Sequence, residues 1–174
     1  MAPPVKVSVI GVRSAPGMGS GGAMAPAVVE RLSTRLPGVQ IFVMYGQTEA
    51  TARLSYLPPA MLSAKLGSAG IPIPGVRLEI RGDAGEALPP GAVGEIYAHG
   101  ANIMQGYWRD AQASAAVLTD GWLKTGDLGY LDKDGYLFIK GRRSDMIKSG
   151  AHRINPNDIE EAISEIDGVA EVAV

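Results

Sequence analysis

Two short stretches of the chain carry residue types that could do chemistry. The first is Tyr45-Gly46-Gln47-Thr48-Glu49-Ala50, where a single turn presents a phenol, an amide, a hydroxyl and a carboxylate. A ring can lie beside a base, a hydroxyl can meet a phosphate oxygen, and a carboxylate suits Mg2+. A plain loop with a capping Thr and Glu has the same composition. The second stretch, residues 122–163, delivers Asp127 after Gly126 and Arg142 after Gly141, on either side of Asp132-Lys133-Asp134-Gly135. Asp-Gly between apolar runs signals a hairpin, which places a carboxylate and a guanidinium at its two ends. Such a pair suits a polyol such as ribose, because Asp accepts from two hydroxyls while Arg donates to ring or phosphate oxygens. A surface hairpin with a salt bridge accounts for the same residues.

The elements that must position these residues are readable from periodicity. Residues 5–12 alternate as a strand. A helix runs from Pro26 to about Arg35, with Val28, Val29, Leu32 and Leu36 on one side, and Pro37-Gly38 ends it. Residues 39–44 read as a buried strand, completing the strand–helix–strand unit of a parallel sheet. Such sheets bind ligands at the carboxyl ends of their strands, which is where Tyr45 falls. The preceding Gly-rich loop, residues 17–23, invites a phosphate reading, but no Lys follows as in a Walker loop, and on these residues alone a tight flexible turn is the better account.

Farther on, a short helix is expected over residues 60–66, strands over 76–81 and 94–99, and a helix over 110–117. His99 is expected on the solvent side of its strand. Beyond Ser144 the pattern predicts a strand over 145–148, a loop over 149–153 and a helix from Pro156 carrying Ile159, Ala162 and Ile163. A strand then begins at residue 169.

Composition removes whole classes of function. Formal charge is −2 with an isoelectric point near 5.7, so no basic field invites nucleic acid. Cysteine is absent, which excludes disulfides and thiolate-held metals. No apolar run approaches the ~18 residues of a membrane span, and the apolar opening is too short for a secretory signal. A cytoplasmic chain without nucleic-acid or membrane partners is expected.

The run TGDLGYLDKDGYLFIKGRRSDMIK, the helix opener INPNDIEEAI and the hexad YGQTEA together resemble the adenylate-forming superfamily of acyl-CoA synthetases, acyl-AMP ligases, adenylation domains and luciferases. The resemblance implies a mixed α/β fold. Residues 1–70 would be a partial α/β subdomain with a parallel strand–helix–strand remnant, and residues 71–143 a β-barrel-like subdomain. Residues 144–174 would hold the hinge, at Ser144, and the start of a small α+β carboxy-terminal domain.

It also implies roles. Asp127 would bind the ribose hydroxyls, and Arg142 the ribose or a phosphate. Thr48 would meet the α-phosphate, Glu49 would hold Mg2+, and both would be catalytic. Tyr45 would lie at the base or acyl pocket, Gly46 would bind the nucleotide within the same turn, and Gln47 would sit near the reacting carboxylate. Gly21, Gly22 and Ala23 would lie against adenine, and Arg153 would serve the second half-reaction. Residues 94–100 and 104–108 match a further family motif and read as structural, because aromatic and apolar residues dominate them.

The implied reaction joins a carboxylic acid to ATP as acyl-AMP with loss of pyrophosphate. The acyl group then passes to the thiol of CoA or of a carrier protein's phosphopantetheine. Two departures stand out: Ala151 replaces a glycine beside the pantetheine tunnel, and Ser144 replaces the usual hinge Asp or Lys. No loop ending in Pro-Lys-Gly and no carboxy-terminal adenylation Lys is present. The expectation is therefore a fragment of an ATP-dependent ligase, inactive alone. The alternative is a non-catalytic remnant or interaction module needing a partner chain with the other half.

Overall fold

A computed structural model describes residues 6–10, 26–149, 152–154 and 156–164, with residues 166, 168, 169, 172 and 174. Gly21, Gly22, Ala23 and Ala151 lie outside the described residues.

β1 (Lys6–Ile10) and β2 (Gln40–Tyr45) pair in parallel, from Lys6 opposite Gln40 to Ile10 opposite Met44, with α1 (Pro26–Arg35) between them in sequence. Pro26 opens α1, where its fixed φ is helical and its missing N–H would have had no partner. The apolar stripe of α1 is narrower than its sequence predicts. Val29 is buried and Leu32 half-buried against Ile41, Leu57 and Leu62, whereas Val28 and Leu36 are 40% and 39% exposed. Val28 lies about 100° around the helix from Val29, and Leu36 falls beyond the last helical residue.

β3 (Ser55–Leu57) and β4 (Ile71–Pro72) complete the first sheet antiparallel, in the order β1-β2-β3-β4. The helix expected over residues 60–66 is instead a 3-10 turn, Pro59–Met61, followed by further turns. The run before Gly67, whose φ is +82, is too short to offset helix nucleation.

The second sheet is antiparallel throughout. It comprises β5 (Arg77–Arg81), β6 (Gly94–His99), β7 (Leu118–Thr119), β8 (Trp122–Leu131) and β9 (Leu137–Arg142), with α2 (Ala111–Val117) preceding β7. β8 pairs with β6 along one edge; along the other it pairs first with β7 and then with β9. Alternation sends Leu78 and Ile80 inward and leaves Arg77, Glu79 and Arg81 on the outer face. There the Arg77 and Arg81 guanidinium groups lie over the Trp122 ring, and His99, as expected, belongs to this outer face against the same ring. Asp110 caps α2 by accepting from the Ala113 N–H at 2.9 Å.

The two sheets share one core. Tyr45, Ala50 and Leu54 from the first side meet Leu78, Ile80, Ile96, Leu123 and Leu137 from the second. Reciprocal backbone bonds stitch the seam: Ala69 N–H donates to the Leu137 carbonyl and Leu137 N–H to the Gly70 carbonyl, both at 2.8 Å.

Past Ser144, β10 (Ile147–Ser149) and β11 (His152–Ile154) form an antiparallel hairpin, and α3 (Pro156–Ser164) follows as expected. The loop expected over 149–153 is thus partly strand, since three-residue strands are too short to show an alternation. At residues 169, 172 and 174 no strand is formed; the Val174 N–H instead donates to Glu160 Oε1 at 3.0 Å. Among the described residues no helix is long and apolar enough to cross a membrane.

Candidate functional site

Asp127 owes its aim to a bulge. Tyr97 pairs with Lys124, but Glu95 pairs with Leu128, so residues 125–127 together oppose Ile96. Gly126, at φ +75, turns the chain there. Nothing stands within 4 Å of where its Cβ would be, so backbone conformation and not space demands glycine. Thr125 repairs the interrupted ladder: its hydroxyl donates to the Ile96 carbonyl at 2.8 Å and accepts from the Asp127 N–H at 3.2 Å.

Asp127 follows Leu123 and Thr125 into the interior and is 2% exposed. Such a buried carboxylate needs partners. Its Oδ2 accepts from the Tyr45 hydroxyl at 2.8 Å, which ties the end of β2 to β8 across the two sheets. Its Oδ1 lies 3.5 Å from Arg142 Nε, an ion pair without a hydrogen bond. Asp127 and Arg142 face each other directly in the β8–β9 register, so the two ends of the hairpin meet at its open mouth. A cleft of about 420 Å³ opens there, lined by Thr125, Gly126, Arg142, Arg143 and Ser144. Arg143 turns elsewhere, to Asp83 at 2.6 Å and Glu95 at 3.3 Å, while its N–H donates to the Gly126 carbonyl.

The turn bearing Glu49 is closed by different means. Gly46 passes so close to the returning chain that a Cβ would stand 2.8 Å from both the Ala52 carbonyl carbon and Arg53 Cα. Thr48–Ala50 form one 3-10 turn, and Thr51 and Ala52 then both adopt left-handed φ, +51 and +66. For non-glycine residues that conformation costs roughly 1–2 kcal/mol each. Asn102 spans the strained pair: its amide donates to the carbonyls of Ala50 at 3.0 Å and Arg53 at 2.8 Å. Thr51 Oγ1 returns a bond to the Asn102 carbonyl at 2.7 Å, and the Met104 N–H donates to the Glu49 carbonyl at 2.8 Å.

Glu49 Oε1 accepts from the Tyr107 hydroxyl at 2.8 Å. Burial first, and then the Glu49 carboxylate, push the Tyr107 phenol up to about 12, so it remains a donor through neutral pH. Thr48 is exposed beside Glu49, and Gln47 Nε2 is buried without a hydrogen-bond partner.

The structure therefore brings together Tyr45, Asp127 and Arg142, and carries Gly46, Gln47, Thr48 and Glu49 on the loop leaving Tyr45. Arg153 sits in β11 opposite Lys148, apart from these elements in sequence. The Tyr45 hydroxyl, expected at a base or acyl pocket, is engaged by Asp127. Asn102 and Tyr107 were missed, because their segment reads as apolar structure. That reading is corrected in two respects: Tyr107 supports Glu49, and Trp108 is 86% exposed. A polar Asn and a phenol within an otherwise apolar run were the only local hints.

The resemblance implies a divalent ion, and the described residues could supply only a shared site for one. Among the described residues no group of three or more acidic or imidazole side chains could cage a metal. Glu49 spends one oxygen on Tyr107, and a single carboxylate with phosphate and water ligands is a normal environment for Mg2+.

A family model described as AMP-binding enzyme matches residues 8–108. The chain is 48% identical over 137 residues to an indoleacetate–CoA ligase from Aromatoleum aromaticum, covering 79% of this chain and 27% of that protein. Its fold is similar to O-succinylbenzoate coenzyme A synthetase from Bacillus subtilis in complex with AMP. That match has a TM-score of 0.83 and 34% identity, over 98% of this chain and 38% of the other. The same synthetase in complex with ATP and magnesium ion matches at a TM-score of 0.80 and 33% identity, over 96% and 38% of the two chains. Against the curated relatives the chain spans 27–32% of their length.

Proposed function

Because the chain belongs to the AMP-binding enzyme family, we propose that it supplies the nucleotide half-site of an ATP-dependent acyl-CoA ligase. The observation that carries this reading is the Tyr45–Asp127–Arg142 constellation, in which the buried Tyr45 and Asp127 stand behind Arg142, a residue that lines the cleft. Asp127 is a carboxylate, an acceptor-only group of the kind that suits vicinal ribose hydroxyls. Arg142, 35% exposed along its side chain, presents its remaining guanidinium N–H groups to ring or phosphate oxygens. Thr48 and Glu49 leave the same β2 end and serve the α-phosphate and the metal. Bound Mg2+ would neutralise phosphate charge as pyrophosphate departs.

In this reading a carboxylate oxygen bonds to the α-phosphorus of ATP, and the bond to pyrophosphate breaks. The acyl group then passes to a CoA thiol, with AMP leaving. We divide the chain at residues 70/71 and 143/144, with Ser144 as the pivot between the two half-reactions.

Calorimetric titration with AMP tests the site. Asp127→Ala removes a charged hydrogen-bond partner, a loss of about 1.5–3 kcal/mol, so AMP affinity should fall about tenfold or more. Equal binding by wild type and variant would remove Asp127 from the site. The 174-residue chain alone should give no pyrophosphate exchange with fatty or aryl acids, since it contains no Pro-Lys-Gly loop to hold the leaving group. Robust exchange that Glu49→Ala abolishes would overturn that expectation.

A further inference from the structure

Tyr107, in a segment given no site role above, touches a site carboxylate with its polar atom. Its hydroxyl donates to Glu49 Oε1 at 2.8 Å, across 58 residues of sequence. An incidental surface tyrosine would have a loose backbone, and this one does not. Its N–H donates to Ser114 Oγ at 2.8 Å, Ser114 Oγ donates in turn to the Asp110 carbonyl at 2.6 Å, and the Asp110 N–H donates to the Tyr107 carbonyl. Gly106, at φ +144, passes so close to α2 that a Cβ would stand 2.9 Å from Ser114 Oγ. The first turn of α2 thus braces the corner that carries the phenol.

The receiving side is braced as well. Asn102, Met104 and Thr51 fix the backbone around Glu49 by the four bonds already described. Backbone bracing leaves the Glu side chain its rotamers, and a long side chain loses catalytic aim through them. Among the described residues only the Tyr107 bond restrains the carboxylate itself, and it takes one oxygen. Tyr107 is 38% exposed, so little packing rests on its hydroxyl.

Resting on the nucleotide reading above, we infer that Tyr107 is a positioning residue. It orients the Glu49 carboxylate so that the second oxygen stays available to a divalent cation carried on the phosphates of a nucleotide. A purely structural tyrosine would contribute to folding without any link to metal.

The test compares AMP, ATP with Mg2+ and ATP with a chelator, each titrated into wild type, Tyr107→Phe, Glu49→Gln and the double variant. The quantity read is the gain in ATP affinity that Mg2+ confers. In Tyr107→Phe that gain should shrink about tenfold, in the range lost when a ligand's outer partner is removed from a metal site, with AMP affinity unchanged. Glu49→Gln should abolish the gain, and the double variant should resemble Glu49→Gln because the two residues act as a unit. A Tyr107→Phe chain with the wild-type gain overturns the inference, as does a wild type with no gain from Mg2+. Parallel loss of AMP affinity in Tyr107→Phe would assign the residue a structural role and also overturn it. Wild type that binds no AMP brings down the nucleotide reading, and this inference with it.

Discussion

Asp127 and Glu49 are both carboxylates held by a tyrosine hydroxyl at 2.8 Å, yet the two regions around them are built on opposite terms. Asp127 sits in a strand, 2% exposed, and its direction follows from sheet register and one bulge. Glu49 sits on a half-exposed turn whose shape is strained and is enforced from outside by residues 102–107. A site residue aimed by register is fixed as firmly as the sheet itself. One aimed by loop contacts is only as fixed as those contacts, and it can be loosened without unfolding the domain.

The sharpest way to break this contrast is at Gly126. Gly126→Val places a β-branched residue at φ +75, a strain of about 1–3 kcal/mol, and any relief rotates Asp127 off the interior face. Urea unfolding should show that loss, and AMP binding should vanish with it, because register and aim are one thing here. Gly126→Ala should sit between wild type and Val. A stable Val variant with wild-type AMP affinity would mean that the bulge does not direct Asp127.

The same contrast explains what could be read from the sequence. Thr125-Gly126-Asp127, the Asp-Gly turn and Gly141-Arg142 are local signals, and the hairpin they describe forms in the register that pairs Asp127 with Arg142. The strand–helix–strand opening was legible for the same reason: its periodicity is contained within each element. Tyr107 and Asn102 were not legible, because nothing near them in the chain encodes a partner some fifty residues earlier. The His152 and Arg153 strand escaped because its pairing is only three residues long. Val28 was over-read, since apolar character alone does not say which of two adjacent helical positions faces inward, and Leu36 because the helix ends at Arg35.

Asn102 provides the smaller, complementary break. Asn102→Ala removes the donor to the Ala50 and Arg53 carbonyls, a loss of about 1 kcal/mol for half-buried bonds. The left-handed pair Thr51-Ala52 then loses two of its external bonds and keeps the Thr51 hydroxyl bond to the carbonyl of residue 102. Amide hydrogen exchange over residues 49–53 should quicken while exchange in β8 stays slow, and AMP affinity should hold. Equal quickening in both regions would show that the loop and the sheet open together, and the distinction between them would fall.

The smallest effect is expected at the far end of the hairpin, where pH can be used. Asp132 Oδ1 accepts from the N–H groups of Asp134 and Tyr136, both at 2.9 Å, and Oδ2 accepts from Lys65 Nζ at 2.6 Å. Lys65 also reaches Asp134 and lies over the Tyr136 ring, so the connection between β3 and β4 clasps the β8–β9 turn. Burial alone would raise the Asp132 pKa, but the Lys65 bond and the two N–H groups outweigh it and hold it below 3.8. The hydrogen bonds to Asp132 and then Asp134 raise Lys65 above 10.5. For Asp132 the unfolded chain binds the proton more readily, so its contribution is complete above about pH 4 and is lost as pH falls through the depressed folded value. For Lys65 the contribution is complete below its unfolded value and is lost as pH rises through the raised folded one. Lys65→Met should therefore lower the melting temperature slightly and evenly near neutrality. It should flatten the acid flank only in part, because the two backbone donors to Asp132 remain, and it should remove the alkaline fall that belongs to the clasp. AMP affinity at neutral pH should not change, since the Gly126 bulge aims Asp127 from the opposite end of the β8–β9 pairing. A melting profile in which Lys65→Met parallels wild type at every pH would show the clasp to be idle. Loss of AMP binding would show that Asp127 is aimed through the whole hairpin and not by its own bulge.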